Sequence, residues 1–135
     1  MQNNNFDSNG NSETNQPNGG RRPGRHRFHA YGVALEIDAL MGALVGGLRQ
    51  RNRHLADQGD RASQSMVLNV AEGNRRKGRD RVHMFRTAQT SADEVGGVLD
   101  MAVGRRLVCE GDLVELRELL NRERAMLYRL INGRA

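Results

Sequence analysis

Residues 112–131, DLVELRELLNRERAMLYRLI, form the stretch of this sequence that decides the fold. Apolar side chains recur there at steps of three and four residues, which is the spacing of an amphipathic helix. Asp112 and Glu115 are placed as a capping-box pair at its start, and Gly133 follows it as a stop signal. The stretch therefore predicts a helix about 30 Å long.

Three further segments toward the N terminus carry the same period. The first begins at Phe28, the second covers about residues 54–72 with Gly73 as its stop signal, and the third covers about residues 80–103. Short connections join them, and no alternating strand pattern competes with the helical one. The sequence thus predicts an all-α protein, an antiparallel up-down-up-down four-helix bundle over residues 28–135.

The N-terminal residues 1–27 have a different composition. They are rich in Asn, Gly, Ser and Arg and show no apolar period, so they cannot bury enough surface to offset chain entropy. We expect a disordered N-terminal tail that ends in a basic patch. The arginines of this patch are Arg21, Arg22, Arg25 and Arg27.

The composition of the chain indicates the cellular compartment in which the protein is expected. The chain has 135 residues, 37% of them apolar, and one cysteine, Cys109, so no internal disulfide can form. No run approaches the roughly 18 apolar residues of a membrane span, and the N terminus lacks a signal-peptide pattern. We therefore expect a cytoplasmic protein without membrane contact, in which Cys109 is a small buried apolar side chain.

No arrangement in the sequence is typical of an enzyme. The four histidines include no pair at the i, i+4 spacing of a helical zinc site, and neither a Walker loop nor a nucleophile elbow is present. We expect no catalytic residue, no metal and no cofactor.

Glycines interrupt two of the predicted helices, with Gly42, Gly46 and Gly47 in the first and Gly96 and Gly97 in the third. Each costs up to about 1 kcal/mol relative to alanine in a helix interior. Two interpretations stay open. Either the bare Cα atoms allow close approach between helices or between subunits, or Gly46 and Gly47 end the first helix early.

Polar side chains also fall on the stripe of the second helix that should face the core. Asn69 needs a hydrogen-bond partner there, because an unpaired buried amide costs about 1 to 3 kcal/mol. Together with Glu72 on the next turn, and with Arg86 and Ser91 on the third helix, Asn69 is predicted to form an interior network that fixes helix register. A small polar pocket is the alternative.

The run Ser65–Gly73, SMVLNVAEG, is followed by Arg75 and by the run Asp80–Arg86, DRVHMFR. This pattern resembles the 23S rRNA intervening-sequence proteins, a bacterial family. The family signature is an Asn-Ile-Ala-Glu-Gly-like turn, an Arg-bearing loop, and an acidic residue and an aromatic near the start of the third helix. Its later positions are matched by Ala88, Ser91 and Glu94.

The resemblance covers about residues 31–131 and implies a four-helix bundle that assembles into a homo-oligomeric ring, commonly a pentamer. A more distant branch of similar proteins serves diversity-generating retroelements, where it binds nucleic acid and a reverse transcriptase. Gly59 and Gly78 depart from the family pattern, in which a bulky apolar residue and a helix-capping serine are usual. Both departures predict looser helix ends.

The positive charge is almost all arginine, with 20 arginines, one lysine and a net charge of +5. Up-down topology places the tail, the connection between the second and third helices, and the C terminus at one end of the bundle. That end collects basic residues, whereas acidic residues offset the arginines of the other end. The residues expected to contact nucleic-acid phosphates are Arg75, Arg76, Lys77, Arg79 and Arg81, with Arg21, Arg22, Arg25 and Arg27 of the tail as a second grip.

The leading hypothesis is therefore a non-enzymatic, ring-forming nucleic-acid-binding accessory protein that contacts phosphates with weak sequence preference. The alternative is a protein-interaction scaffold, such as a reverse-transcriptase partner in a diversity-generating retroelement, in which the basic end meets an acidic protein. A third interpretation treats the basic connection as a solvated turn without any partner.

Overall fold

The computed structural model describes residues 29–133, and the regular structure of these residues is helical throughout. Its four α-helices are α1 (His29–Leu48), α2 (Arg53–Arg75), α3 (Gly78–Gly104) and α4 (Val114–Asn132). A short 3-10 turn, Glu110–Leu113, precedes α4. Each helix packs against the next one in the chain, and α4 closes the bundle against α1. The predicted all-α, up-down-up-down four-helix bundle is confirmed.

The first helix continues through its glycines. Because α1 runs past Gly46 and Gly47 to Leu48, the interpretation that these glycines end the helix early is wrong. Helical hydrogen bonding and the burial of Val45 and Leu48 hold the last turn in place despite the low helix propensity of glycine.

The composition of α1 differs from the expectation that no segment approaches a membrane span. Among the described helices, α1 is long and apolar enough, with a mean hydropathy of 1.4, to cross a membrane by length and composition. A core helix of a bundle passes the same test, and this one places seven side chains in the core. They are Ala30, Val33, Ala34, Ile37, Met41, Val45 and Leu48.

The second helix extends beyond its predicted stop at Gly73 and ends at Arg75. Gly73 serves packing instead, since a Cβ atom at this position would lie 2.5 Å from Cε1 of Phe85. The Phe85 side chain is fully buried in α3. The bare Cα of Gly73 therefore lets the end of α2 lie against this aromatic ring.

A similar close approach explains Gly59, which lies inside α2 rather than at a loosened end. A Cβ atom there would lie 3.0 Å from Cε of Met41 in α1 and 3.1 Å from Cγ1 of Val98 in α3. The absence of a side chain at Gly59 thus lets α1, α2 and α3 approach one another closely at this position.

The third helix ends in a Schellman motif. The Leu107 N–H donates to the Ala102 carbonyl at 2.8 Å, and the Arg106 N–H donates to the Val103 carbonyl at 2.9 Å. Arg106 has a φ of 60°, so an arginine occupies the left-handed position that usually holds glycine.

The start of α4 differs from its sequence prediction. The residue that caps α4 is Leu113, without a side-chain hydrogen bond, so the capping-box interpretation of Asp112 and Glu115 is wrong. The 3-10 turn takes its place, because the Asp112 N–H donates to the Cys109 carbonyl at 3.0 Å. Cys109 is exposed rather than buried, since it lies in the extended connection before this turn.

Candidate nucleic-acid interface

One end of the bundle is defined by a small apolar cluster. Ala30 of α1, Val70 of α2, Phe85 of α3 and Leu127 of α4 pack together there. The cluster brings the start of α1, the end of α2, the start of α3 and the end of α4 to the same end, as the topology predicted. We call this end the basic pole and define it by Arg75, Arg76, Lys77, Arg79 and Arg81.

Three cations of the basic pole point away from the protein. Arg75, Lys77 and Arg79 are exposed, and none forms an ion pair with another described residue. A connection of only two residues between α2 and α3 keeps these side chains close together. They are the cations best placed to meet an external anion.

The other two predicted contacts are engaged within the chain. Nη2 of Arg76 lies 2.6 Å from Oε2 of Glu72, and Nη1 lies 3.7 Å from Oδ2 of Asp80. Arg81 folds back, with its guanidinium 4.8 Å from the centroid of the Phe85 ring and Nη1 donating to the Gly73 carbonyl at 3.4 Å. Contacts within the chain therefore engage both guanidinium groups, which leaves them less available to an external anion.

The start of α3 adds a favourable potential for anions. Its N-cap residue, Lys77, is extended and provides no side-chain hydrogen bond to the first turn. Gly78 follows with a φ of 60°, which explains why a glycine stands where the family usually has serine. The exposed N–H groups and the positive end of the helix dipole thus face the same side as the free cations.

At the opposite end of the bundle, acidic side chains offset the charge of the arginines. Arg49 forms an ion pair with Asp57. Arg117 donates to Glu110 at 2.7 Å and to Asp100 at 2.9 Å. The hydrogen bond from Arg117 holds the pKa of Glu110 below its usual value and raises the pKa of the arginine itself. These ion pairs engage two arginines of this end, and the other arginines there are exposed and outside them. The asymmetry between the two ends therefore rests on the larger number of acidic residues at this end.

The predicted interior network is built from a different set of side chains. Nδ2 of Asn69 donates to the Ser65 carbonyl at 2.8 Å, and the Ser65 and Ser91 hydroxyl oxygens lie 2.8 Å apart. The structure thus joins Asn69 and Ser91 through Ser65, whereas Glu72 and Arg86 lie outside this network. Glu72 faces Arg76 one turn further on, and Arg86 is exposed on α3.

Sequence reasoning passed over Glu123, a buried carboxylate. Its side chain is inaccessible to solvent and neither of its oxygens has a hydrogen-bond partner among the described residues. Burial raises its pKa to about 8, against a smaller opposing effect of Arg122. Its spacing from Leu120 and Leu127 on the apolar stripe was a signal that could have found it.

Asn74, at the end of α2, was also missed. Both polar atoms of its side-chain amide are buried and have no hydrogen-bond partner among the described residues. Within these residues, no group of three or more His, Cys, Asp or Glu side chains could hold a metal ion. The tail residues Arg21, Arg22, Arg25 and Arg27 lie outside the described part of the chain.

The fold and this end define a class of protein, an antiparallel helical bundle with an exposed cationic pole. Residues 31–129 match the family described as 23S rRNA-intervening sequence protein, and the chain belongs to that family. The resemblance inferred from the sequence is thereby confirmed.

A solved structure supports the same architecture. A crystal structure at 1.70 Å of a protein of unknown function, from the S23 ribosomal protein family of Bacteroides thetaiotaomicron, is similar to this chain with a TM-score of 0.72. The two are 17% identical, and the match covers 77% of this chain and 99% of the other. A search of curated proteins finds no match. At this identity the likeness concerns the fold alone.

Proposed function

We propose that this protein is a non-enzymatic, cytoplasmic nucleic-acid-binding accessory protein of its family, which contacts backbone phosphates through the basic pole. The observation that carries the proposal is the exposure of Arg75, Lys77 and Arg79 at one short connection, without acidic partners among the described residues. An excess of cations at the basic pole, and acidic residues that offset the arginines of the opposite end, favour a polyanion that approaches from the basic pole.

The mode of contact follows from the residue types. An arginine can hold a phosphate through two parallel N–H donors, and a lysine attracts it as a point charge. Tyr128 is the one exposed aromatic among the described residues, so no stacking platform accompanies the cations. We therefore expect weak sequence preference and strong salt dependence. Arg21, Arg22, Arg25 and Arg27 would supply a second grip from the tail.

We further propose that the protein forms a homo-oligomeric ring, with five subunits as the family resemblance implies. The outward face of α1 supports an assembly, because Leu35 is 44% exposed on it. A Cβ atom at Gly42, Gly46 or Gly47 would meet no atom within 4 Å, so packing within the described chain does not explain these glycines. A ring that keeps all subunits the same way up would align their basic poles and multiply the attraction for phosphates.

The mass of the intact protein in solution tests the ring. Native mass spectrometry should give five chain masses for the wild type and a monomer for Gly46→Glu, which places a charge on the α1 face. Gln64→Glu, at an exposed position of α2, is the matched control and should keep the wild-type mass. A monomeric wild type would refute the ring.

Electrophoretic mobility shift tests nucleic-acid binding. The wild type should shift both RNA and DNA at low salt and release them as salt rises, and reversing the charges of Arg75, Arg76 and Lys77 should abolish the shift. Absence of binding at low salt, or indifference to the reversal, would refute the proposal. A protein partner that copurifies and survives nuclease treatment would favour the scaffold alternative, including a reverse transcriptase.

A further inference from the structure

A groove runs between α1 and the start of α4, so its two walls belong to different elements. It has a volume of about 290 Å³. Its residues are Leu40, Ala43 and Leu44 of α1, and Asp112, Leu113, Glu115 and Leu116 of the 3-10 turn and α4. Ligand pockets for small molecules span roughly 300–1,000 Å³, so a groove of this size suits one long side chain better.

The floor of the groove is apolar and its rim is acidic. Its four leucines are buried or half-buried, whereas Asp112 and Glu115 are exposed. Among the described residues, no Lys or Arg lines the groove, and α1 contains neither. Such a surface suits a side chain with an apolar stem and a cationic tip, which is what an arginine offers.

No contact within the described residues uses the two acids. Leu113 precedes α4 without a side-chain capping bond, so neither carboxylate caps the helix. Glu110, in the same 3-10 turn, is paired with Arg117, but Asp112 and Glu115 form no ion pair with another described residue. Both carboxylates are therefore available to a cation from elsewhere.

The N-terminal tail, which precedes the described residues, carries arginines at the distance that the groove requires. Residues 40–44 lie about 16 to 22 Å along α1 from His29. A tail that turns back along α1 covers about 23 Å between His29 and Arg22 when extended, because each residue spans about 3.3 Å. Arg21 and Arg22 therefore reach the groove, whereas the backbone of Arg27, two residues from His29, does not.

We propose that the groove holds one arginine of the tail of the same chain, Arg21 or Arg22. Its stem would lie on the leucines, and its guanidinium would donate to Asp112 and Glu115. The short tether keeps this arginine at an effective concentration on the order of millimolar, so a contact that is weak between separate molecules is populated within the chain.

This contact regulates the second grip on nucleic acid, and that part of the inference rests on the proposed function. An arginine seated in the groove is withheld from phosphates at the basic pole. A polyanion that engages the tail must first displace it from the two carboxylates, so the groove competes with nucleic acid for the same side chains.

Disulfide trapping locates the tail in the absence of nucleic acid. Gly20→Cys and Ala43→Cys place one thiol beside Arg21 and one on the rim of the groove, in a chain that also carries Cys109→Ser. We expect the disulfide within one chain to form at least about fivefold faster than in a control pair at an equal height of the bundle.

The control pair combines Gly20→Cys with Gln58→Cys in the same background. Gln58 is exposed on α2 at the height of Ala43, because its neighbour Gly59 lies against Met41 of α1. Equal rates for the two pairs would overturn the docking. A disulfide that joins two chains, seen as a doubled mass, would assign the groove to the tail of a second copy and so overturn the contact within one chain.

Removing the acids tests the role of charge. Asp112→Asn combined with Glu115→Gln should lower the trapping rate to that of the control pair. Glu118→Gln, at an exposed acid of α4 that does not line the groove, should leave the rate unchanged. A rate that survives the loss of both acids would contradict an arginine in the groove, and thermal unfolding curves verify that each variant folds.

Added nucleic acid separates this inference from the proposed function. Single-stranded RNA at low salt should slow trapping by about twofold or more, because its phosphates compete for the tail arginines. An unchanged rate in a chain that binds the RNA would overturn the competition. A chain that binds no RNA overturns the proposed function itself, and the trapping rates without RNA then decide the docking alone.

Discussion

A carboxylate occupies a core position of α4 at Glu123, one turn from Leu120 and one turn from Leu127. An ionised carboxylate without a partner is costly in an apolar interior, so the group keeps its proton instead. Burial accordingly raises the pKa of Glu123 to about 8. At neutral pH the core therefore holds a neutral carboxylic acid.

This residue makes stability depend on pH in a defined direction. The unfolded chain releases the Glu123 proton near pH 4.5, whereas the folded chain keeps it until about pH 8. The folded state thus binds more protons in this window, and the free energy of unfolding falls as pH rises through it. Above that window the folded protein contains a buried charge and is least stable.

Glu123→Met, which replaces the carboxylate with an apolar side chain of similar size, should remove this dependence. We expect the variant to exceed the wild type in unfolding free energy by up to about 4 kcal/mol more at pH 9 than at pH 5. Urea denaturation of both proteins at the two pH values measures the difference. A constant difference would show that Glu123 is ionised in the folded state at both pH values.

Arg106 offers a second prediction at the scale of one residue. A non-glycine residue in the left-handed region costs about 1 to 2 kcal/mol, and its backbone hydrogen bonds keep Arg106 there in this structure. Arg106→Gly should therefore raise the free energy of unfolding by about 0.5 to 1 kcal/mol. Arg105→Gly, at the neighbouring residue with a negative φ, should lower it. Thermal denaturation at fixed pH distinguishes these signs.

At the scale of the elements, periodicity predicted all four helices because each must bury one stripe against its neighbours. The helix ends were less accessible to sequence reasoning. Gly73 carried a stop signal, but the Phe85 ring, twelve positions along the chain, determines what this glycine does. Asp112 and Glu115 matched a capping box, but a 3-10 turn satisfies the backbone first. Tertiary contacts decide such local choices, and no short pattern records them.

Replacing glycine by alanine should have opposite effects on the free energy of unfolding at two helix positions. Gly73→Ala should lower the free energy of unfolding by about 1 to 3 kcal/mol, because the added methyl group collides with the Phe85 ring. Gly97→Ala should raise it by up to about 1 kcal/mol, since a Cβ atom there meets nothing within 4 Å in the described chain. Chemical denaturation of both variants compares them, and equal effects would contradict the packing role of Gly73.

At the scale of the whole molecule, topology and charge together located the basic pole. Up-down folding brings the connection between α2 and α3 to the end where α1 starts, and the cluster around Phe85 confirms this arrangement. Sequence reasoning could not tell which cations are free, because that depends on side-chain directions. Arg76 meets Glu72, Arg81 lies over Phe85, and Arg86 faces outward.

The salt dependence of nucleic-acid binding tests the central claim most directly. The slope of log affinity against log salt counts the phosphates that a protein engages, at about 0.7 per contact for single strands. We predict that replacing Arg75, Lys77 and Arg79 by Gln reduces the slope by about 2 for single-stranded RNA. The same change at Arg51, Arg53 and Arg105, at the opposite end, should leave it unaltered. Equal slopes for the wild type and the variant of the basic pole would contradict the account.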